Sequence, residues 1–413
     1  MKTKDIITDL GGKTEVPDFT PTRAAGLARL ELFAERAGEV YDRCRNYDLG
    51  PDQRENVSAL SPWIRHRLIT EEEVIRATLA RHPFEKAERF IHEVFWRTYF
   101  KGWLEHHPTV WHAYQVGLRR QIKSVDRDRR LAASVTHATA GETGIECFDA
   151  WAEELVTTGY LHNHARMWFA SIWIFTLELP WELGADFFLR HLMDGDPASN
   201  TLAWRWVAGL QTKGRPYIAR VSNISKFTDG RFCPTHQLNT NVTALNEEAD
   251  HLRVPLPDAA HADDIAGDYL LLITEEDMQI ADVLPHAPAA HIGALATQSR
   301  SPLPLGAVAR EFACGAMQDA CAGSDVIEAG AWLEALITAC RAAGVTTIVT
   351  GYAPVGPVAT ALSDAAPRLL AEGIKIIQVR RDFDTVAWPH ATKGFFKMKK
   401  EVPSILQRLQ LHQ

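Results

Sequence analysis

Cysteine is scarce in this chain, and its six copies at 44, 147, 233, 314, 321 and 340 include no C-x-x-C pair and no His/Cys spacing of metal-site type. A disulfide framework, a zinc module and a dithiol redox centre are therefore not indicated; buried thiols and no metal are expected. A long apolar run is missing too. The longest, "MWFASIWIFTLELPW", is too short to span a bilayer and has a glutamate near its proline stop. The start, "MKTKDIITDLGGKTEVPDFTPTRAAG", has no apolar core of leader length and no small-residue cleavage site, so a cytoplasmic protein without a membrane partner is expected. Positive charge is in deficit: 44 Lys and Arg against 52 Asp and Glu give a net charge of −8. That excludes a broad electrostatic nucleic-acid binder but leaves room for a local basic stripe. Neither G-x-G-x-x-G nor a P-loop is present, and no internal repeat is visible.

What is there is a well-cored chain of 413 residues with 46% hydrophobic content, enough for two domains of different texture. Residues 25 to 250 are rich in tryptophan and helical periodicity. From about residue 265 onward "YLLLIT", "HIGALAT", "TTIVTGY" and "IKIIQVR" read as buried strands. Between them "LGAVAREFACGAMQDACAG", "AWLEALITACRAAG" and "PVATALSDAAPRLLAEG" read as helices, an alternation that implies a parallel sheet covered by helices. The join falls in "LNEEADHLRVPLPDAAHADD", which is polar and without amphipathic period. The expected fold class is multi-domain: an all-helical unit over 1–250 and a Rossmann-like parallel α/β unit over 262–413.

Three stretches of the helical half carry chemistry on an apolar background. In "ERFIHEVFWRTYF", Glu93, Trp96 and Arg97 share a helix face at i, i+3 and i+4. In "GYLHNHARMWFASIW", Tyr160, Asn163, Arg166 and Met167 share one, and a buried cation or amide there needs a partner. In "LMDGDPASNTLAWRWVAG", Asp194 and Asp196 precede a helix bearing Asn200 and Trp204. Taken singly, each has an ordinary explanation: an i,i+4 salt bridge, an arginine paired with a distant acid, a helix-capping aspartate. Together, three acids, two arginines, two amides and several aromatic rings suit a large, flat, polar ligand.

These motifs, in this order, resemble the flavin-binding domain of the photolyase/cryptochrome family from about Tyr41 to Phe232. The resemblance implies FAD. Tyr41 in "YDRCRNYD" stands near its phosphates, and "NVSALSPWI" is similar to the family's phosphate-binding T-S-x-L-S, with Ser58, Leu60 and Ser61 kept and Val57 in place of the threonine. It further implies that Arg97 serves the flavin side, Asn163 lies between flavin and substrate, Arg166 pairs with Asp194, Asp196 lies against the cofactor, and Asn200 stands opposite flavin N5. Glu93 and Trp96 would face a DNA lesion, with Trp206 stacking on it and Met167 lining the pocket. Trp204 and Trp181 match the inner and middle positions of an electron path, but Ala138 in "ATAGETG" stands at the outer one, so either Trp151, Trp168 or Trp173 completes it or photoreduction is weak. His164 replaces an arginine at the lesion-facing rim.

The implied activity is blue-light-driven splitting of cyclobutane pyrimidine dimers by electron transfer from photoexcited reduced FAD, on a base flipped out of damaged DNA. A local basic run of Arg205, Lys213, Arg215, Arg220 and Lys226 would contact the DNA. The other reading is a cryptochrome-type light receptor acting on a signalling partner, supported by the acidic charge, the missing outer tryptophan and the domain order. Family members carry an α/β antenna domain first, whereas here the α/β half follows. "WPHATKGFFKMKKEVPSIL" resembles the end of such an antenna domain, which leaves room for a second chromophore there. A monomer is expected, as is retention of flavin by a fragment ending near residue 255.

Overall fold

The computed structural model describes residues 18–323, 326–327 and 330–411; the amino-terminal stretch read above for a leader lies mostly outside them. The helical half runs α1 (Arg23–Ala34), α2 (Glu39–Cys44), α3 (Ser61–Arg65), α4 (Glu71–Leu79), α5 (Phe84–His106), α6 (Thr109–Arg127), α7 (Arg129–Ala140), α8 (Glu146–Thr158), α9 (Asn163–Ser171), α10 (Trp181–His191), α11 (Pro197–Ala208) and α12 (Val221–Phe227). Local chemistry sets several ends. Thr70 and Glu73 form a reciprocal capping box at the start of α4. Asp196 caps α11 by accepting from the Ser199 N–H, with Pro197 in the first turn, and Gly209 ends that helix in the left-handed conformation. After α9 the chain widens into a π-helical turn over Ile172–Thr176.

The second half forms one five-stranded parallel sheet in the order β3-β2-β1-β4-β5. Its strands are β1 (Leu270–Thr274), β2 (Ala290–Ala294), β3 (Val326–Ile327), β4 (Thr347–Gly351) and β5 (Lys375–Val379). Crossovers are made by α13 (Ala307–Ala320), α14 (Trp332–Ala343) and α15 (Pro357–Ala371), and the chain ends through α16 (Asp382–Ala387), α17 (Phe395–Met398) and α18 (Val402–Arg408). The four strands and three helices read from periodicity are present within three residues at each end. β3 and the short helices α16 to α18 escaped, because so few residues carry no clear period.

The halves share a core. One apolar cluster runs from Leu30, Phe33 and Phe95 to Leu271, Ile273, Phe383, Phe395, Ile405 and Leu406. Gly102 on α5 admits the Trp388 ring, since a Cβ there would lie 2.9 Å from it. The join is also tied down: the Val254 N–H donates to His106 O at 2.8 Å, and Ala260 pairs with the edge of β5. The expectation for a fragment ending near residue 255 therefore needs correction. Such a fragment would strip away Phe383, Trp388, Phe395, Met398, Ile405 and Leu406, all buried. At about 1.5–3 kcal/mol each, that loss matches the whole net stability of an ordinary domain, about 5–15 kcal/mol. Among the described residues, no helix is long and apolar enough to cross a membrane.

Candidate functional site

Three helices meet at the site. α11 packs against both α5 and α9, which brings the three stretches singled out above together. Arg166 forms a two-pronged pair with Asp194, its Nη1 and Nη2 donating to the carboxylate at 3.1 and 2.8 Å. Its Nε donates to Leu161 O, and its guanidinium lies 5.4 Å from the Tyr160 ring centre. The burial question raised by "GYLHNHARMWFASIW" is thus answered for Arg166 within the chain. Asn163, by contrast, is exposed, and its amide touches only the Met167 sulfur at 4.0 Å.

Glu93 does not make the i,i+4 bridge to Arg97. It binds Arg45, 2.7 Å away on the residue that follows α2, and Arg45 in turn lies over Tyr41. Arg97 instead donates to Arg65 O and faces Glu71 and Asp196 at 3.6 and 3.5 Å. Burial raises the Glu93 carboxyl against the opposing pull of Arg45. Glu93, Arg45 and Arg166 are packed by neighbours yet keep 30%, 22% and 25% of their side-chain surface open. Each therefore has one side available to a ligand.

Asp196 sits deeper. Its Oδ1 caps α11, while Oδ2 has no hydrogen bond and faces Arg65, Arg97 and Lys101 at 3.5–3.8 Å. Burial alone would raise its pKa, but Lys101, Arg97 and Arg65 outweigh burial and hold it well below the usual carboxylate range. Asn200 donates to Ala185 O at 2.8 Å, a contact that fixes α11 on α10.

The loop before α3 is shaped for an anion. Ala59 is left-handed at φ 50 and Leu60 right-handed at φ −84, an alternation that makes successive N–H groups converge. From behind, the buried Arg29 guanidinium donates to the carbonyls of Val57 and Ser58 at 3.1 and 2.9 Å and so holds the turn in place. Sequence reading missed Arg29, because no short-range spacing links it to this loop. Ser58 and Ser61 are half-buried and Leu60 is buried; Val57 contributes no hydroxyl. An anion-shaped loop, an open arginine and an orphaned buried carboxylate oxygen fit a flavin dinucleotide.

Among the aromatic residues, Trp204 is buried and meets Trp173 edge-on at 6.4 Å, with Gly184 between them: a Cβ there would lie 2.4 Å from the Trp204 ring. Trp181, one turn before Gly184 on α10, is 5.7 Å from Tyr114, which is 5.2 Å from Trp111. Ala138 is buried and supplies no ring. Trp151 and Trp168 stack on each other at 5.4 Å. Trp206 is 38% exposed and stacks on Tyr217.

The two histidines that flank Asn163 are both engaged within the chain. His162 is the cap of α9 and lies outside the helix, its ring accepting from the His164 N–H and meeting Arg45 O at 3.0 Å. His164 stacks on Phe227 and Trp168, and burial, then His162, pushes its pKa down to about 4. Within the basic run, Arg205 is a correction: it is buried and pairs with Glu247 at 2.6 and 3.0 Å, so it is not presented to a ligand. Lys213, Arg215, Arg220 and Lys226 are exposed, Lys213 beside Asp250.

Residues 90–234 match the family described as the FAD binding domain of DNA photolyase. Over these residues the chain is similar to the photolyase/cryptochrome family. Relatives include the deoxyribodipyrimidine photo-lyase of Synechococcus, 30% identical over 216 residues, covering 50% of this chain and 43% of that protein. The photo-lyase of Agrobacterium fabrum is 32% identical over 204 residues, 48% of this chain and 40% of that one. The chloroplastic/mitochondrial cryptochrome DASH of Ostreococcus tauri is 30% identical over 217 residues, 51% and 38%. The chain thus spans under half the length of these relatives. A solved class III photolyase from Agrobacterium tumefaciens overlaps 55% of this chain and 46% of its own at 29% identity, with a TM-score of 0.42.

Proposed function

We propose that the protein binds FAD non-covalently in the α5/α9/α11 cleft and splits cyclobutane pyrimidine dimers in DNA under blue light. The observation that carries this reading is that Glu93, Asn163 and Met167 stay accessible, with Arg166, paired to Asp194, on the same helix as Asn163 and Met167. A receptor has no chemical need of an open carboxylate and amide at that place.

When bound, FAD supplies the light absorption and the electron. The turn of Ser58, Ala59 and Leu60, with Ser61 and Tyr41, would hold its diphosphate; Arg97, Arg166, Asp194, Asp196 and Asn200 would surround the ring system. Glu93, kept in place by Arg45, would hydrogen-bond the dimer, and Trp206 would pack on it; the Trp96 ring expected to do so as well is stacked on Phe395 at 3.8 Å and borders the site instead. Asn163 can only hydrogen-bond and Met167 can only pack, and neither His162 nor His164 is free to deliver a proton to that face. The (6-4) photoproduct, whose repair needs acid chemistry, is therefore outside the proposed substrate range. A second chromophore in the α/β half would need a site other than the crevice at the carboxyl ends of β1 and β4. That crevice, the usual ligand position of such sheets, is filled by Glu276 bound to Arg65 and Lys101, and by Tyr352 bound to Glu105.

The test is illumination of the reduced, FAD-loaded protein with an oligonucleotide carrying one lesion. Restored thymines are expected from the cyclobutane dimer and none from the (6-4) product. Glu93→Ala should lower dimer repair at least about tenfold, the loss of one good hydrogen bond in the transition state, with flavin content retained. Intact photochemistry without repair would favour the cryptochrome-type reading, in keeping with Ala138 at the outer electron-path position.

A further inference from the structure

Phe396 is 77% exposed, more than any other exposed aromatic side chain described. It is nevertheless held on a firmly seated element. Its neighbour Phe395 is buried and stacks on Trp96 at 3.8 Å with an 18° tilt, Met398 is buried, and Lys399 reaches Glu88 on α5 at 3.5 Å. The same short segment exposes Lys393, Lys397 and Lys400, which make no ion pair among the described residues. On the wheel of α5, Trp96 lies about 60° from Glu93 and about 40° from His92, whose ring meets Phe395. Trp96 is thus the border post between the open Glu93 wall and the α17 tip. A chain with an acidic excess overall has placed three unpaired lysines and a bare aromatic face beside its cleft.

We propose that the α17 tip is a DNA-docking element: Phe396 stacks on a base next to the lesion while Lys393, Lys397 and Lys400 neutralise adjacent phosphates. This rests on the repair reading above. Aromatic faces interleaved with lysines are the general device for gripping unstacked nucleotides, and a base expelled beside the flipped dimer supplies one. It gives the α/β half, whose sheet crevice is closed by side chains, a part in substrate binding. The arrangement also accounts for Phe395 and Phe396 pointing to opposite sides: one anchors the tip to Trp96 and the other is left bare. An anionic lipid surface is the rival partner, disfavoured because the helix has four residues and one exposed apolar side chain.

The experiment titrates full-length, FAD-loaded protein into a fluorescent duplex carrying one cyclobutane dimer, at several salt concentrations, with 2-aminopurine next to the lesion. Lys393→Ser/Lys397→Ser/Lys400→Ser should lower the slope of log affinity against log salt by about 2–3. Phe396→Ser should lose roughly five- to a hundredfold in affinity and its effect on 2-aminopurine, and Phe396→Trp should restore both. Flavin content and melting temperature should not move, because the four side chains are exposed. An unchanged salt slope with unchanged 2-aminopurine signal overturns the docking role while leaving the repair reading intact. Phe396-dependent binding to phosphatidylserine vesicles with undiminished DNA affinity overturns it in favour of a membrane. A wild-type protein that holds FAD but ignores the duplex overturns both.

Discussion

Arg166 and Asp194 were readable as a pair because both stand in motifs whose resemblance specified the partner, whereas Glu93 and Arg45 were not, being 48 positions apart with no spacing rule between them. Helical spacing offered Arg97 as Glu93's partner, and tertiary packing overrode it. The same limit hid Arg29, which acts only through the carbonyls of a loop folded onto it. At this scale Asp194→Asn is the informative change. It leaves Arg166 with Leu161 O and the Tyr160 face and no counter-charge, a loss of about 1–3 kcal/mol because the guanidinium keeps some contact with solvent. We expect a melting temperature lower by a few degrees and a smaller yield of bound FAD from the same purification. Flavin content equal to wild type would remove the pair from the cofactor site.

Helices and strands were legible wherever a period ran for two turns or four residues; what lacked a period was not. His162 looked helical in sequence but caps α9, the π-helical turn after α9 gave no sign, and β3 is two residues long. Helix α10 shows how element geometry goes beyond residue type. Gly184 lets the Trp204 ring close on the helix next to Trp173, and Trp181, one turn earlier, faces Tyr114, a ring that no tryptophan pattern would have selected. Trp204→Phe keeps most of the packing and removes the readily oxidised ring. Blue light should then no longer reduce the oxidised flavin, as followed by its visible absorbance, while chemically reduced variant and wild type repair dimers equally. Equal photoreduction would take Trp204 out of the path.

The alternating texture of the chain announced two units, but not that they share a core and a buried ionic joint. The three acids that follow β1 explain why. Glu275, Glu276 and Asp277 are three consecutive acids with no periodic pattern to mark them as interior, yet all three are buried. With Glu71, Asp196 and Asp384 they face six cations: Arg65, Arg67, Arg97, Lys101, Arg300 and Arg381. Because the charges balance only when both halves are present, neither half carries its share alone. Glu276 is the centre of the joint, 2.7 Å from Arg65 and 2.9 Å from Lys101. Burial would raise its pKa, but those two cations outweigh burial and lower it to about 2. A carboxyl depressed in the folded state stabilises the fold fully above its ordinary range and loses that contribution as pH falls towards the depressed value. Wild-type stability should therefore decline between pH 4.5 and about 2. Glu276→Gln should be less stable at neutral pH by about 3 kcal/mol, since two buried cations lose a partner, and its decline over the acid window should be shallower by one proton. Urea midpoints measured across that window decide the matter: curves for variant and wild type that stay parallel would mean that Glu276 does not carry the joint, and that the two halves are held by their apolar contacts alone.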